Sequence, residues 1–394
     1  EPLPELGFNL RTANALTGFD WDGAFDAVAK RGGFDVVIGN PPYVPYPSAK
    51  APYAVPPGGY RTLPAKNLYA LVFERALQLV APDGIVSFVV PLTVTSSERA
   101  APLQRLLVAR GPVFYASFPR RPRSVFEGVE MPVAIVTSLH GESGRLNSTR
   151  VVRFTAAERD GLMETLSYLS HDIVVDGHRW AKIGRALERD IVAKLAPQPR
   201  TVAVLCTARG EHAVFYQEAC RYWVKAALAV PYAAKNGVPA FPAHWRTLTL
   251  RTREDAAFVF CLLNSSLFFW YYSVFSDTEH INDALVRSLP VPPAFDGERF
   301  DRRADALERD LAVHAIRTTI STRRGDTISY DERNAARSKP VIDRVDALLA
   351  ETYGLTNAEL GFILSYDAKY RLSEPKGVRT AGGDSEPARR NNSR

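Results

Sequence analysis

An α/β fold built on a mixed sheet is what the first 140 residues predict, and three observations carry that expectation. Short apolar runs of strand length alternate with stretches of helical periodicity. The run "FDVVI" (34–38) is apolar on both faces, as a central parallel strand is. Proline and glycine punctuate the connections between runs. In order, Phe34–Ile38 is the first strand. Residues 67–80, "NLYALVFERALQLV", repeat apolar side chains at helical spacing until "PDG" breaks them, and "IVSFVV" follows as a strand. A second helix is expected over Ser96–Ala109, then the strand "GPVFYASF", a charged loop "PRRPRSVFEGVE" and the strand "PVAIVTSL". Two of these connections are helical crossovers and the last resembles a long antiparallel hairpin, which makes the sheet mixed.

Further along, 141–185 reads as a linker carrying a strand and a short helix. Residues 186–298 read as a second, α+β domain, with the aromatic run "FFWYYSVF" (268–275) expected to serve packing. Residues 299–372 read as a helical C-terminal segment. There Ile342, Val345, Leu348, Leu349 and Tyr353 share one helical face, Gly354 sits where a C-terminal cap belongs, and Thr356 with Glu359 spells a capping box. Residues 373–394 lack apolar periodicity and are expected to be a disordered tail.

Composition removes several classes of function. At 394 residues, 46% hydrophobic and 23% charged, the chain has ordinary globular make-up with room for more than one core. No apolar run approaches the roughly 18–20 residues that cross a bilayer. Three cysteines, an odd number without a CxxC pair, argue against a disulfide framework and point to a reducing, cytoplasmic setting; seven scattered histidines make no metal motif. A net charge of +6 permits an acidic partner such as nucleic acid.

The stretch "FDVVIGNPPYV" (34–44) delivers an asparagine, two prolines and a tyrosine at the end of a buried-type strand. An exocyclic amine on adenine, or a glutamine amide nitrogen, has its lone pair delocalised, so no side chain profitably deprotonates it at neutral pH. Two acceptors aimed at its N–H bonds can instead favour a pyramidal nitrogen and stabilise the charge that grows as it attacks. The Asn40 side-chain carbonyl and the Pro41 main-chain carbonyl are suited to that task. Pro41 and Pro42 restrict the backbone so that the two oxygens converge, and Tyr43 offers a flat face for a ring. A plain turn at a strand end is the competing reading.

"FDVVIGNPPYV" resembles motif IV of the S-adenosylmethionine-dependent amino-methyltransferases, and the surrounding chain is similar to the gamma class of N6-adenine DNA methyltransferases of restriction-modification enzymes. "NLYALVFERAL" and "DGIVSFVVP" resemble the helix and strand that follow motif IV, and "SVFEGVEMPVAIV" resembles motif VIII. "LLNSSLFFWYYSVFSDTEHINDALVRSLPVPP" and "YDERNAARSKPVIDRVDALLAETYGLTNAELGFILSYDAKYR" resemble the target-recognition region. The resemblance covers most of Asn9–Arg371. It implies the C-terminal part of a Rossmann-like class I methyltransferase sheet within 1–140, followed by a target-recognition domain over 186–298.

That resemblance also implies a base-flipping mechanism on double-stranded DNA, with S-adenosyl-L-methionine as cofactor and no metal. Asn40, Pro41, Pro42 and Tyr43 would be catalytic, and Tyr43 and Phe126 would stack on the target base. Arg120, Arg121 and Arg123 would grip backbone phosphates, and Asn282 and Arg287 would lie within reach of DNA. In "TANALTG" (12–18), Asn14 and Leu16 match part of a cofactor motif, with Ala13 where glycine is usual. No GxG precedes "FDVVIGNPPYV". The expectation is therefore an incomplete catalytic half: the C-terminal part of a longer enzyme, or one half of a split one that folds with a partner. A DNA-binding specificity fragment without chemistry, or an amino-methyltransferase acting on RNA or a protein glutamine, stand as alternatives.

Overall fold

A computed structural model describes residues 10–50, 53–56, 58–127, 130–142 and 144–372. The architecture is mixed α/β, as expected. Its main sheet has six strands: β1 (Phe34–Gly39), β2 (Val80–Pro91), β3 (Val113–Phe118), β4 (Val133–Ser138), β5 (Leu146–Val151) and β6 (Leu169–His171). Their spatial order is β1-β2-β4-β3-β5-β6. β1 runs parallel to β2, β4 is antiparallel to both β2 and β3, β3 is parallel to β5, and β6 closes antiparallel on β5.

β1 forms because Val36, Val37 and Ile38 are β-branched and suit a pleated surface. It lies at one edge of the sheet, with Ile38 73% and Val36 53% exposed. Helix Leu68–Leu79, started by the Asn67 side chain accepting from the Tyr69 N–H, covers the sheet together with helix Ala101–Arg110. Phe73 meets Phe88 edge to face, and Leu103, Leu107, Val113, Tyr115 and Val136 complete that core. "PDG" does not separate helix from strand; it bulges β2, and the register jumps from Phe34↔Val80 to Val36↔Ile85. At Gly33, φ is +128° and a Cβ would fall 2.6 Å from the Ala81 nitrogen, so the entry to β1 needs glycine there.

The boundary expected at residue 140 is not a boundary in the sheet. β5 and β6 lie within the stretch read as a linker and extend the sheet past β3. The two later regions share one hydrophobic cluster, reaching from Ala181 to Tyr366. "FFWYYSVF" is buried throughout in helix Ser266–Phe275, so it does serve packing. This helix and Arg253–Asn264 form an apolar pair bent by 67° and enclosed in protein; among the described residues no single helix is long and apolar enough to cross a membrane. Cys206, Cys220 and Cys261 are buried free thiols.

One piece of the region read as helical is not helical. Between helices Gly297–Val313 and Lys339–Tyr353, strands Ala315–Ser321 and Thr327–Arg333 form a hairpin and pair with Ala233–Lys235. "IRTTIS" and "TISY" are rich in β-branched residues and flank a turn containing Gly325 at φ +84°, which is strand and turn chemistry. The capping expectations hold: Gly354 is left-handed at φ 68°, and Thr356 with Glu359 forms a capping box. The tail read as disordered lies outside the described residues.

Candidate active site at the end of β1

β1 stops at Gly39, and Asn40 follows as an exposed residue whose carboxamide has no hydrogen bond to any described residue. Pro41 is buried and Pro42 exposed, and their two fixed φ angles stiffen the chain at this point. Tyr43 is half-buried. Its hydroxyl donates to the Val89 carbonyl on β2 at 2.9 Å, and burial pushes the phenol up to about 12, so the ring is held neutral and in place. The exit from the motif is tethered as well: the Leu68 N–H donates to the Val44 carbonyl at 2.9 Å, and the Tyr46 N–H to the Lys66 carbonyl at 3.0 Å. A free carboxamide thus stands beside a stiffened stretch of backbone and an anchored ring.

Phe126 lies on the connection between β3 and β4 and is 36% exposed. Val125, its neighbour, packs into the same apolar cluster as Tyr43, with Phe118, Val133 and Phe154. Tyr43 and the residue before Phe126 therefore pack against one apolar cluster.

The three arginines of that loop do not behave alike. Arg120 is committed to Glu279 at 2.9 Å, with Glu130 at 3.8 Å, so it is an ion-pair partner of the following domain rather than a free phosphate ligand. The Arg121 carbonyl accepts from Arg153 at 3.1 Å, and its Nε is buried without a partner. Arg123 alone is exposed. Arg159 was not legible as a site residue; its guanidinium donates to the carbonyls of Ser124 at 2.9 Å and Val125 at 2.7 Å. Side chains that hold main-chain oxygens leave no spacing pattern in a sequence.

The Thr12–Gly18 turn is occupied by its own bonds. Asn14 Oδ1 accepts the Leu16 N–H at 3.0 Å, and Leu16 is buried with Tyr46, Val55 and Tyr60. These residues do not make a cradle for a cofactor: the asparagine oxygen is used and the leucine belongs to the core. Asn282 caps the short helix Asp283–Arg287 through the Leu285 N–H at 2.7 Å, and Arg287 pairs with Asp283. Both line a cleft of about 500 Å³ with Glu218, Arg246 and His280.

Residues 6–110 match the Eco57I restriction-modification methylase family. That interval contains β1, residues Asn40–Tyr43, helix Leu68–Leu79 and β2. A curated relative, the modification methylase CviBIII of Paramecium bursaria Chlorella virus NC1A, is 33% identical over 79 residues, which is 20% of this chain and 20% of that protein. Among solved structures, the Type IIL restriction-modification enzyme MmeI in complex with DNA is similar at 11% identity and TM-score 0.49, over 91% of this chain and 59% of that one. A nuclease-deletion mutant of the Type ISP enzyme LlaGI, bound to a DNA substrate mimic, is similar at 10% identity and TM-score 0.41, over 78% of this chain and 47% of that one. The family match is confined to the N-terminal quarter of the chain, and the match to the curated relative spans one fifth of that relative's length.

Proposed function

We propose that the Asn40–Tyr43 corner is the acceptor side of an S-adenosylmethionine-dependent methyl transfer to adenine N6 in double-stranded DNA, within a restriction-modification system. The observation that carries this reading is the carboxamide of Asn40, free and exposed at the carboxyl end of β1, where ligands of open α/β sheets bind. It lies in the interval that matches the restriction-modification methylases.

Adenine N6 is hidden in a duplex, so the nucleotide leaves the stack at a cost of a few kcal/mol. Tyr43, its ring fixed by the bond to Val89, supplies one face for the extruded base and Phe126 the other. The Asn40 carboxamide oxygen and the Pro41 carbonyl accept from the two N6–H bonds, orienting the amine and stabilising the positive charge that grows there. Neither Asn40 nor the neutral Tyr43 takes a proton at neutral pH, so their part is orientation and charge stabilisation. S-adenosylmethionine supplies the methyl group as an electrophile when bound. The Asn14–Leu16 turn does not fit as its cradle, so the chemistry of the residues in hand is that of the acceptor.

Transfer of labelled methyl from S-adenosylmethionine tests the reading, using this chain with unmethylated duplex DNA, RNA and protein as acceptors. The expected product is N6-methyladenine in DNA, found by nucleoside mass spectrometry. Label appearing only in RNA or glutamine, or DNA binding with no transfer, would replace the proposal with another function.

A further inference from the structure

The loop that carries Phe126 has no main-chain to main-chain turn hydrogen bonds of its own among the described residues. Inside it, Ser124 Oγ donates to the Arg120 carbonyl at 3.4 Å and Arg120 lies 3.8 Å from Glu130; the shorter contacts around Phe126 come from side chains outside it. Arg159 places one guanidinium nitrogen on the Val125 carbonyl at 2.7 Å and another on the Ser124 carbonyl at 2.9 Å. Arg153 reaches the Arg121 carbonyl at 3.1 Å, and Arg120 is paired with Glu279. The gripped carbonyls at 124 and 125 immediately precede Phe126, so their positions fix where its ring can point.

The grip is itself anchored. Arg159 follows the turn Ala156–Glu158, whose capping box joins Thr155 and Glu158, and its guanidinium lies 5.7 Å from the Phe154 ring. Glu158 pairs with Lys369, and Arg153, nearly sealed from solvent, donates through Nε to Asp367 at 2.7 Å. Asp367 also takes Arg150 at 2.8 Å. The C-terminal residues Asp367 and Lys369 therefore hold the segment 150–159, and that segment holds the loop. A planar guanidinium suits two neighbouring carbonyls in a way that an ammonium point charge does not.

We infer that Arg159 is a positioning residue for the base-stacking ring of Phe126, and that through it the C-terminal turn sets the geometry of base capture. The inference rests on the proposed role of Phe126. Arg159 touches no base; it acts by confining the loop. Because Arg120 ties the same loop to Glu279, the loop has attachments to both later parts of the chain. Base capture and the placement of the C-terminal region are thereby mechanically linked.

The test uses two readouts on the full chain. Trypsin cleavage after Arg123, followed by mass spectrometry, reports how firmly the loop is held. A Phe126→Trp reporter, quenched by a single-stranded oligo(dA) probe whose bases need no flipping, reports ring placement. Arg159→Met should speed cleavage after Arg123 by about tenfold or more, in keeping with the loss of two charge-assisted hydrogen bonds, and should weaken the quenching at unchanged melting temperature. Arg159→Lys keeps the charge and should behave more like Arg159→Met than like the parent. Unchanged cleavage in Arg159→Met would overturn the brace, and faster cleavage with quenching intact would overturn the positioning role. Absence of quenching with Arg159 present would instead sink the stacking role of Phe126, while the cleavage arm still decides the brace.

Discussion

Two polar groupings in this protein look equally chemical on paper, and the fold treats them in opposite ways. Ser148 and His171 stand 2.9 Å apart, oxygen to Nε2, which is the spacing of a nucleophile and its base. Yet both are buried and every polar atom is spoken for. His171 Nδ1 accepts from the Ile173 N–H at 3.1 Å, so the proton sits on Nε2 and points at the serine. Ser148 in turn donates to the Ile183 carbonyl at 2.6 Å. Asn40 is the reverse case, a strong donor and acceptor left in the open without a partner among the described residues. A folded chain satisfies the polar groups that hold it together, and those it leaves unsatisfied at a strand end are available to a substrate.

That contrast breaks into measurable differences. The largest concerns Asn40. Asn40→Ala should lower methyl transfer by about 10²–10³-fold, the loss seen when one donor or acceptor to a charged transition state is removed, with melting temperature unchanged. His171→Ala should do the opposite. It leaves the Ile173 N–H without its buried acceptor, a cost of about 1–3 kcal/mol in chemical denaturation, and transfer should fall only as far as the folded fraction does.

The same histidine makes stability depend on pH. Burial depresses the His171 pKa from 6.5 to about 4. A group kept neutral in the folded state contributes stability that is fully present above pH 6.5 and is lost as the pH falls through 6.5 towards 4. The full loss amounts to about 3 kcal/mol. Denaturation midpoints measured from pH 7 to 4 should show that slope, and His171→Asn should flatten it.

Smaller effects sharpen the open side of the comparison. Phe126→Ala should weaken transfer by roughly 1–3 kcal/mol, the worth of one base–aromatic stack, read as kcat/KM on duplex DNA. Arg123→Ala should reduce the salt slope of DNA binding by about 1, as expected for one phosphate contact, whereas Arg120→Ala should leave that slope unchanged because its guanidinium is held by Glu279.

The sequence made the sheet legible where pattern and physics agree. The helix that Asn67 starts, the Gly354 cap and the Thr356–Glu359 box were all readable, because each depends on residues near one another in the chain; the run 34–38 was readable as a parallel strand, but its two apolar faces suggested a central position and it lies at the sheet edge, with Val36 and Ile38 exposed. The hairpin at 315–333 was hidden by its setting between two helices, although its β-branched residues and its Gly325 turn carried a local strand signal. The stretch holding β5 and β6 was read as a linker with one strand because β5 joins the sheet through β3, which precedes it by a whole hairpin, while β6 is only three residues long. Arg120 looked like a phosphate ligand because its acid, Glu279, lies in another domain. At the candidate site, the position of Asn40 and Tyr43 just past a strand end was legible; the tether from Tyr43 to Val89 and the hold of Arg159 on the Phe126 loop were not, since each binds a main-chain oxygen that any residue provides.

The most direct test of the central claim is the single-turnover rate of methyl transfer to duplex DNA for Asn40→Ala, measured beside its melting temperature. A fall of about 100-fold or more at unchanged melting temperature is predicted. A rate near that of the parent, or a loss that follows a lowered melting temperature, would show that Asn40 closes a turn rather than serving a substrate.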